Sequence, residues 1–292
     1  MAVRFGMNLF LWTDDPTQES LLPLYAELAA MGFDGLELPI FDADPEAFAT
    51  LGRRLEELGL ARTAVSVCNP DTDPISPDPA LRKAALGHLQ HVIDCAAAAG
   101  AELLAGPLYA AIGQFSGSGP SGDELERSRE VLALAADHAA RAGISLSLEF
   151  LNRFEIYLLN TAADAARFVR ELDRPNVSVH YDTFHAHIEE KDPAAAIRAA
   201  GPHIGHVHIS ENDRGTPGAG QVRWEESFDA LHAMGYDGWL TIEAFGSSLP
   251  SLAAATKIWR PLFKDEETLA REGLAFMKHE WQRRSGSAGD ER

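Results

Sequence analysis

Between positions 144 and 149 the chain alternates, with Ile144, Leu146 and Leu148 on one side and Ser145, Ser147 and Glu149 on the other. A period of two is that of a strand with one buried face. Short apolar runs of similar length recur at 3–11, 35–40, 60–67, 102–108, 177–182, 204–209 and 239–243. Between them lie longer stretches with helical start and stop signals. The stretch 18–31 ends at Gly32, 45–59 opens on Pro45, and a Pro- and Asp-rich loop at 69–79 leads into a helix through Ala99. Further helices are expected at 123–142, 161–172, 193–200, 224–234 and around 266–281, with a Gly/Ser-rich loop at 113–122. Eight strands alternating with helices, and no Pro/Gly-rich linker in the middle of 292 residues, predict an α/β fold that closes as a single (β/α)8 barrel over residues 1–284. The small, polar tail at 285–292 is expected to be disordered. No Gly-x-Gly-x-x-Gly follows the first strand, which argues against a dinucleotide-binding sheet.

Composition narrows the partners. The formal net charge of -19 argues against nucleic acid as a partner, because phosphate binding needs clustered Lys and Arg. No basic segment precedes an apolar one at the N-terminus and no apolar run has the length of a membrane span, so a cytoplasmic protein without membrane contact is expected. Cys68 and Cys95 have neither zinc-site nor disulfide-framework spacing and read as core residues.

In such a barrel the reactive groups belong at the C-terminal ends of the strands. The last four predicted strands end there on Glu149, Asp182, His208 and Glu243, with Ser147, His180, His206 and Thr241 facing inward two residues earlier. Taken singly, Glu149 reads as well as a surface acid, Asp182 reads better as a helix N-cap and His208 as a core histidine. Together they read as a metal site. Three carboxylates and one imidazole suit Mn2+, Mg2+ or Co2+ better than a structural zinc, and without a cation three clustered carboxylates would repel. Trp12, just past the first strand, reads as an apolar wall of a pocket or as a core or rim aromatic.

The runs Leu148-Glu-Phe-Leu-Asn-Arg-Phe-Glu155, Tyr181-Asp-Thr-Phe-His-Ala-His-Ile-Glu-Glu190, Gly205-His-Val-His-Ile-Ser-Glu-Asn-Asp-Arg214 and Thr241-Ile-Glu-Ala-Phe245 resemble those of the ketose 3-epimerases. That family includes D-tagatose, D-allulose and L-ribulose 3-epimerases, among the xylose isomerase-like TIM barrels. Gly32-Phe-Asp-Gly-Leu-Glu37 and Gly235-Tyr-Asp-Gly238 support the likeness, which extends over most of the chain.

The resemblance implies that Glu149, Asp182, His208 and Glu243 hold one divalent ion, Mn2+ before Co2+ or Mg2+. It implies that Glu155, His185 and Arg214 hold the oxygens of a small sugar. It further implies that Glu149 and Glu243 are the catalytic acid/base pair, and that the assembly is a homodimer or homotetramer. Chemistry agrees on the pair: inverting the carbon beside a ketone needs a base on each face of an enediolate. From the residues alone, Arg214 in the Gly/Pro-rich loop 213–220 reads as a solvated surface arginine or as one reaching over a substrate. One departure stands out: Ala111, Ile112 and Gly113 occupy the stretch where relatives of the tagatose enzyme carry a tryptophan, so the pocket for the far end of the sugar differs. The competing readings are an aldose-ketose or hydroxypyruvate-type isomerase, a lyase acting on a 3-keto sugar or C-glycoside, and a non-catalytic sugar- or metal-binding barrel.

Overall fold

The computed structural model describes residues 3–41 and 44–287. The chain runs β1 (Arg4–Asn8), α1 (Leu22–Met31), β2 (Gly35–Pro39), α2 (Pro45–Glu57), β3 (Ala61–Val65), α3 (Pro79–Ala98), β4 (Leu103–Gly106), α4 (Gly122–Ala142) and β5 (Ser145–Glu149). It continues with α5 (Ala162–Leu172), β6 (Val177–Asp182), α6 (Thr183–Glu189), α7 (Pro193–Ala200), β7 (Ile204–Ile209), α8 (Trp224–Ala233), β8 (Trp239–Ile242), α9 (Pro250–Thr256) and α10 (Glu266–Ser287). All strands pair in parallel in chain order, and β8 returns to β1 through Arg4 opposite Trp239 and Gly6 opposite Thr241, closing the barrel. The expected (β/α)8 barrel is therefore the fold observed.

Helix starts follow local chemistry. Asp44, Asp78 and Asp192 each accept a backbone N–H at an N-cap and precede a proline in the first turn. Ser121 and Glu124 form a reciprocal capping box at α4. Such caps contribute about 1 kcal/mol apiece. Outward-facing strand residues such as Leu36, Leu38, Leu146, Leu148, Val207 and Ile209 are buried against the helices. The inward positions are different in kind. Glu37, Thr63, Ser147, His180, His206 and Thr241 are all buried, where many barrels carry branched aliphatics.

Boundaries differ from the sequence-based expectation in instructive places. The first strand, expected to reach residue 11, stops at Asn8, whose side-chain oxygen accepts the N–H of Phe10 at 2.8 Å and starts a 3-10 turn over Leu9–Leu11. β4 stops at Gly106, where φ is 126° and a Cβ would collide with the carbonyl oxygen of Ser66. The short helices α6 and α9 have seven residues each; the first starts where Asp182 reads as an N-cap, and the second has no counterpart in the expected elements. α10 continues to Ser287, into the stretch expected to be disordered, and residues 288–292 lie outside the described part. Cys68 and Cys95 are buried free thiols. Among the described residues no helix is long and apolar enough to cross a membrane.

Candidate active site

Strand register brings the four predicted groups together. Asp182 stands opposite His208, His208 opposite Thr241, and Glu149 opposite His180. Glu243 follows the last residue of β8, its N–H donating to the carbonyl of Ile209. One ligand atom from each of Glu149, Asp182, His208 and Glu243 lies within 4.8 Å of the others, and all four residues are buried. Asp182 is both things its sequence context allowed. Oδ1 accepts the N–H of Phe184 at 2.6 Å and caps α6, while Oδ2 accepts from Arg214 Nη1 at 2.8 Å in the site.

The electrostatics are those of acids out of water with few compensating charges. Burial, then repulsion from Glu243, raises the Glu149 carboxyl well above its usual range. Burial pushes Asp182 up to about 6 against the opposing charge of Arg214. For Glu243 burial is outweighed by His208 and Arg214, and its carboxyl is lowered. Burial also opposes charge on His208, but Glu37 and Glu243 raise its pKa well above the ordinary imidazole value. Two buried atoms aimed into this group, Glu149 Oε1 and His208 Nδ1, have no hydrogen-bond partner. Unpaired lone pairs on a hard, mainly oxygen donor set fit a divalent cation, so the four residues can hold one. His180, His206 and His208 also come within ligand spacing, but His208 Nε2 is already taken by Glu37, at 2.6 Å.

A cavity of about 280 Å³ opens above the cluster. Glu149, Glu155, His185, Arg214 and Glu243 line one part of it, and Phe10, Phe41, Val65, Ile112, Phe245 and Leu252 line another. Arg214 is not a surface arginine. It takes a left-handed backbone (φ 65°), turns inward, and rests its guanidinium carbon 3.7 Å from the Phe184 ring centre. Glu155 accepts from Asn152 Nδ2 at 2.7 Å. The backbone N–H of Asn152 donates to His185 Nδ1 at 3.0 Å. Arg214 Nη2, which can only donate, lies 3.1 Å from Nε2 of the same ring, so N–H donors face both nitrogens of His185, and Glu149 Oε1 is 3.6 Å from Nε2. Burial, then Arg214 and His208, lowers the His185 pKa well below the usual imidazole value, which keeps the ring neutral.

Trp12 is the expected residue that the lining does not include. The 3-10 turn puts Phe10 on the cavity, and Trp12 packs half-buried against the main core instead. Sequence reasoning assigned no role to Glu37, Asn152 or Phe10. For Glu37 a signal existed, an acid inside the apolar run Leu36-Glu37-Leu38; for Asn152 and Phe10 neither spacing nor residue type marked the position.

The family profile described as "Xylose isomerase-like TIM barrel" matches residues 25–280. The L-ribulose 3-epimerase of Mesorhizobium japonicum is 37% identical over 277 residues, 94% of this chain and 93% of that protein. Among solved structures, an L-ribulose 3-epimerase superposes with a TM-score of 0.90 at 36% identity, covering 99% of this chain and 97% of the other. The D-allulose 3-epimerase from Methylomonas sp. in complex with D-allulose does so at 0.89 and 32% identity, covering 96% and 97%. The fold, the acidic cluster at the strand ends and this likeness along almost the whole length lead to one conclusion: the chain belongs to the ketose 3-epimerases of the xylose isomerase-like TIM barrels.

Proposed function

We propose that residues 1–284 form one catalytic domain that epimerises a free ketose at C3, a ketohexose such as D-allulose, D-fructose or D-tagatose or a ketopentose such as L-ribulose, with a divalent cation held by Glu149, Asp182, His208 and Glu243. Mn2+ is the first choice of ion, ahead of Co2+ and Mg2+. The single observation that carries the reading is the meeting of Glu149 and Glu243, from strands on different parts of the ring, in one buried cluster at ligand spacing beneath a sugar-sized cavity. When bound, the cation supplies Lewis acidity that makes the C3 hydrogen beside the ketone more acidic.

The chain's own groups do the rest. One of Glu149 and Glu243 takes the C3 proton and the other delivers a proton to the opposite face, and exchanging their roles runs the reaction backwards. His185, neutral, holds a sugar oxygen. Arg214 and Glu155 hold further oxygens. The apolar walls around Phe10 and Phe245 exclude water from the reacting carbon. On the strength of the family resemblance the reading extends to a cytoplasmic homodimer or homotetramer.

The test is incubation of free ketoses with Mn2+, Co2+ or Mg2+ in deuterated water. The expected product is the C3 epimer with deuterium at C3. An aldose as the main product would reject it in favour of an isomerase, and release of aglycone from a 3-keto glycoside, with free ketoses left unchanged, would reject it in favour of a lyase.

A further inference from the structure

Glu37 sits in the middle of β2, wholly buried inside the barrel, and the proposed reaction does not use it. Isolating a carboxylate from water costs several kcal/mol unless its oxygens are well bonded. Here they are. Oε1 takes Nε2 of His208 at 2.6 Å and Nδ2 of Asn8 at 2.9 Å. Oε2 lies 2.8 Å from Nε2 of His206 and accepts from Thr63 Oγ1 at 3.1 Å.

Asn8 fixes the direction of these bonds. Its own oxygen is committed to the N–H of Phe10, so the group it turns to Glu37 is the amide nitrogen, and Oε1 must accept. An accepting Oε1 requires a proton on Nε2 of His208. To bind an ion the ring must give up any second proton, and the one it keeps is on Nε2, which leaves the lone pair on Nδ1. Nδ1 is the atom that faces the acids, 3.5 Å from Oε1 of Glu243 and 3.9 Å from Oδ2 of Asp182, and it has no hydrogen-bond partner.

We infer that Glu37 is a positioning residue for the cation site: it holds His208 through Nε2–H so that the bare Nδ1 is presented to the ion beside the carboxylates, with Asn8, Thr63 and His206 bracing it. The inference rests on the proposed cation site. A negative partner on the far nitrogen makes the near one a stronger ligand, and loss of such partners typically weakens metal binding about 10- to 100-fold.

The experiment titrates metal-free wild type and Glu37→Gln with Mn2+, reading the free ion by electron paramagnetic resonance. Asn8 keeps the glutamine oxygen on the His208 side, so the variant removes the charge and leaves the contact. Its Mn2+ dissociation constant is expected to rise about 10- to 100-fold, with turnover regained at saturating Mn2+. A folded variant with an unchanged constant overturns the inference. Should the variant not fold, 15N-histidine spectra of wild type loaded with 113Cd2+ decide instead: cadmium coupling at Nδ1 of His208 with a proton on Nε2 is expected, and coupling at Nε2 overturns the inference. Wild type that binds no divalent cation and turns over without one fails at an earlier point, removing the cation site itself.

Discussion

Nη1 of Arg214 lies 2.6 Å from Oε2 of Glu243, and the same nitrogen reaches Oδ2 of Asp182 at 2.8 Å, so one buried guanidinium nitrogen serves two carboxylates. The planar group also stacks on Phe184, which an ammonium cannot reproduce. Arg214→Lys is expected to lower kcat/KM about 100-fold, corresponding to roughly 3 kcal/mol of transition-state binding. Arg214→Ala should in addition lower the unfolding free energy by about 3–5 kcal/mol in cation-free protein, because it strands buried charge. Steady-state kinetics and chemical denaturation check both. A lysine variant with wild-type kcat/KM would remove the role given to the fork.

Glu149→Gln and Glu243→Gln remove one acid/base group each while preserving shape. Each is expected to cut kcat about 10²- to 10⁴-fold. Exchange of the C3 hydrogen with deuterated solvent, followed by NMR, should fall with turnover. Undiminished exchange in either variant would dismiss that glutamate as a base.

Glu211, fully buried, gathers the loop that carries Arg214. Its carboxylate accepts the backbone N–H groups of Asn212, Gly218, Gln221 and Val222 and the indole N–H of Trp224, at 2.9 to 3.1 Å. Glutamine would turn an NH2 group toward some of these donors and leave them unpaired, at about 1–3 kcal/mol each. Glu211→Gln is therefore expected to lower Tm and raise KM about tenfold, with a smaller effect on kcat. Equal losses in kcat and no change in KM would contradict a loop that only presents Arg214.

The acids predict how stability responds to pH. Asp182 titrates at about 6 when folded, against an ordinary 3.8, so the folded state binds its proton more tightly than the unfolded chain. Stability from this group is complete below pH 3.8 and is lost as pH rises through about 6, on the order of 3 kcal/mol. Glu149, also raised, continues the trend to higher pH. Cation-free protein should therefore show a Tm that declines from pH 5 toward neutrality. Added Mn2+ should raise Tm by an increment that grows with pH, since a cation competes with those protons and binds only the folded state. Calorimetry with and without chelator measures this, and an increment independent of pH would refute it.

How much could be read from residues alone follows from what periodicity reports. Alternation marks faces and strand ends, so Glu149, Asp182, His208 and Glu243 were identifiable, as was the closed barrel. It does not report what crosses the barrel. Glu37 stands on the opposite side of the ring from His208 in sequence, 171 positions away, and only closure of β8 on β1 brings strands 2 and 7 to the same interior. Loop geometry was equally hidden. The positive φ of Arg214 and the Asn8 turn that exchanges Trp12 for Phe10 depend on local hydrogen bonds with no hydrophobic period. α6 was legible only at its start, where Asp182 reads as an N-cap, because its seven residues are too few to show a helical period.

That shared residue restricts what can be redesigned. Asp182 gives one oxygen to start the helix bearing His185 and the other to Arg214, so altering its chemistry shifts the scaffold and the reaction centre at once. Phe41, Ile112 and Leu252 carry no such double duty on the cavity wall. Libraries meant to retarget the catalyst to other sugars should diversify that wall and leave the acidic floor intact.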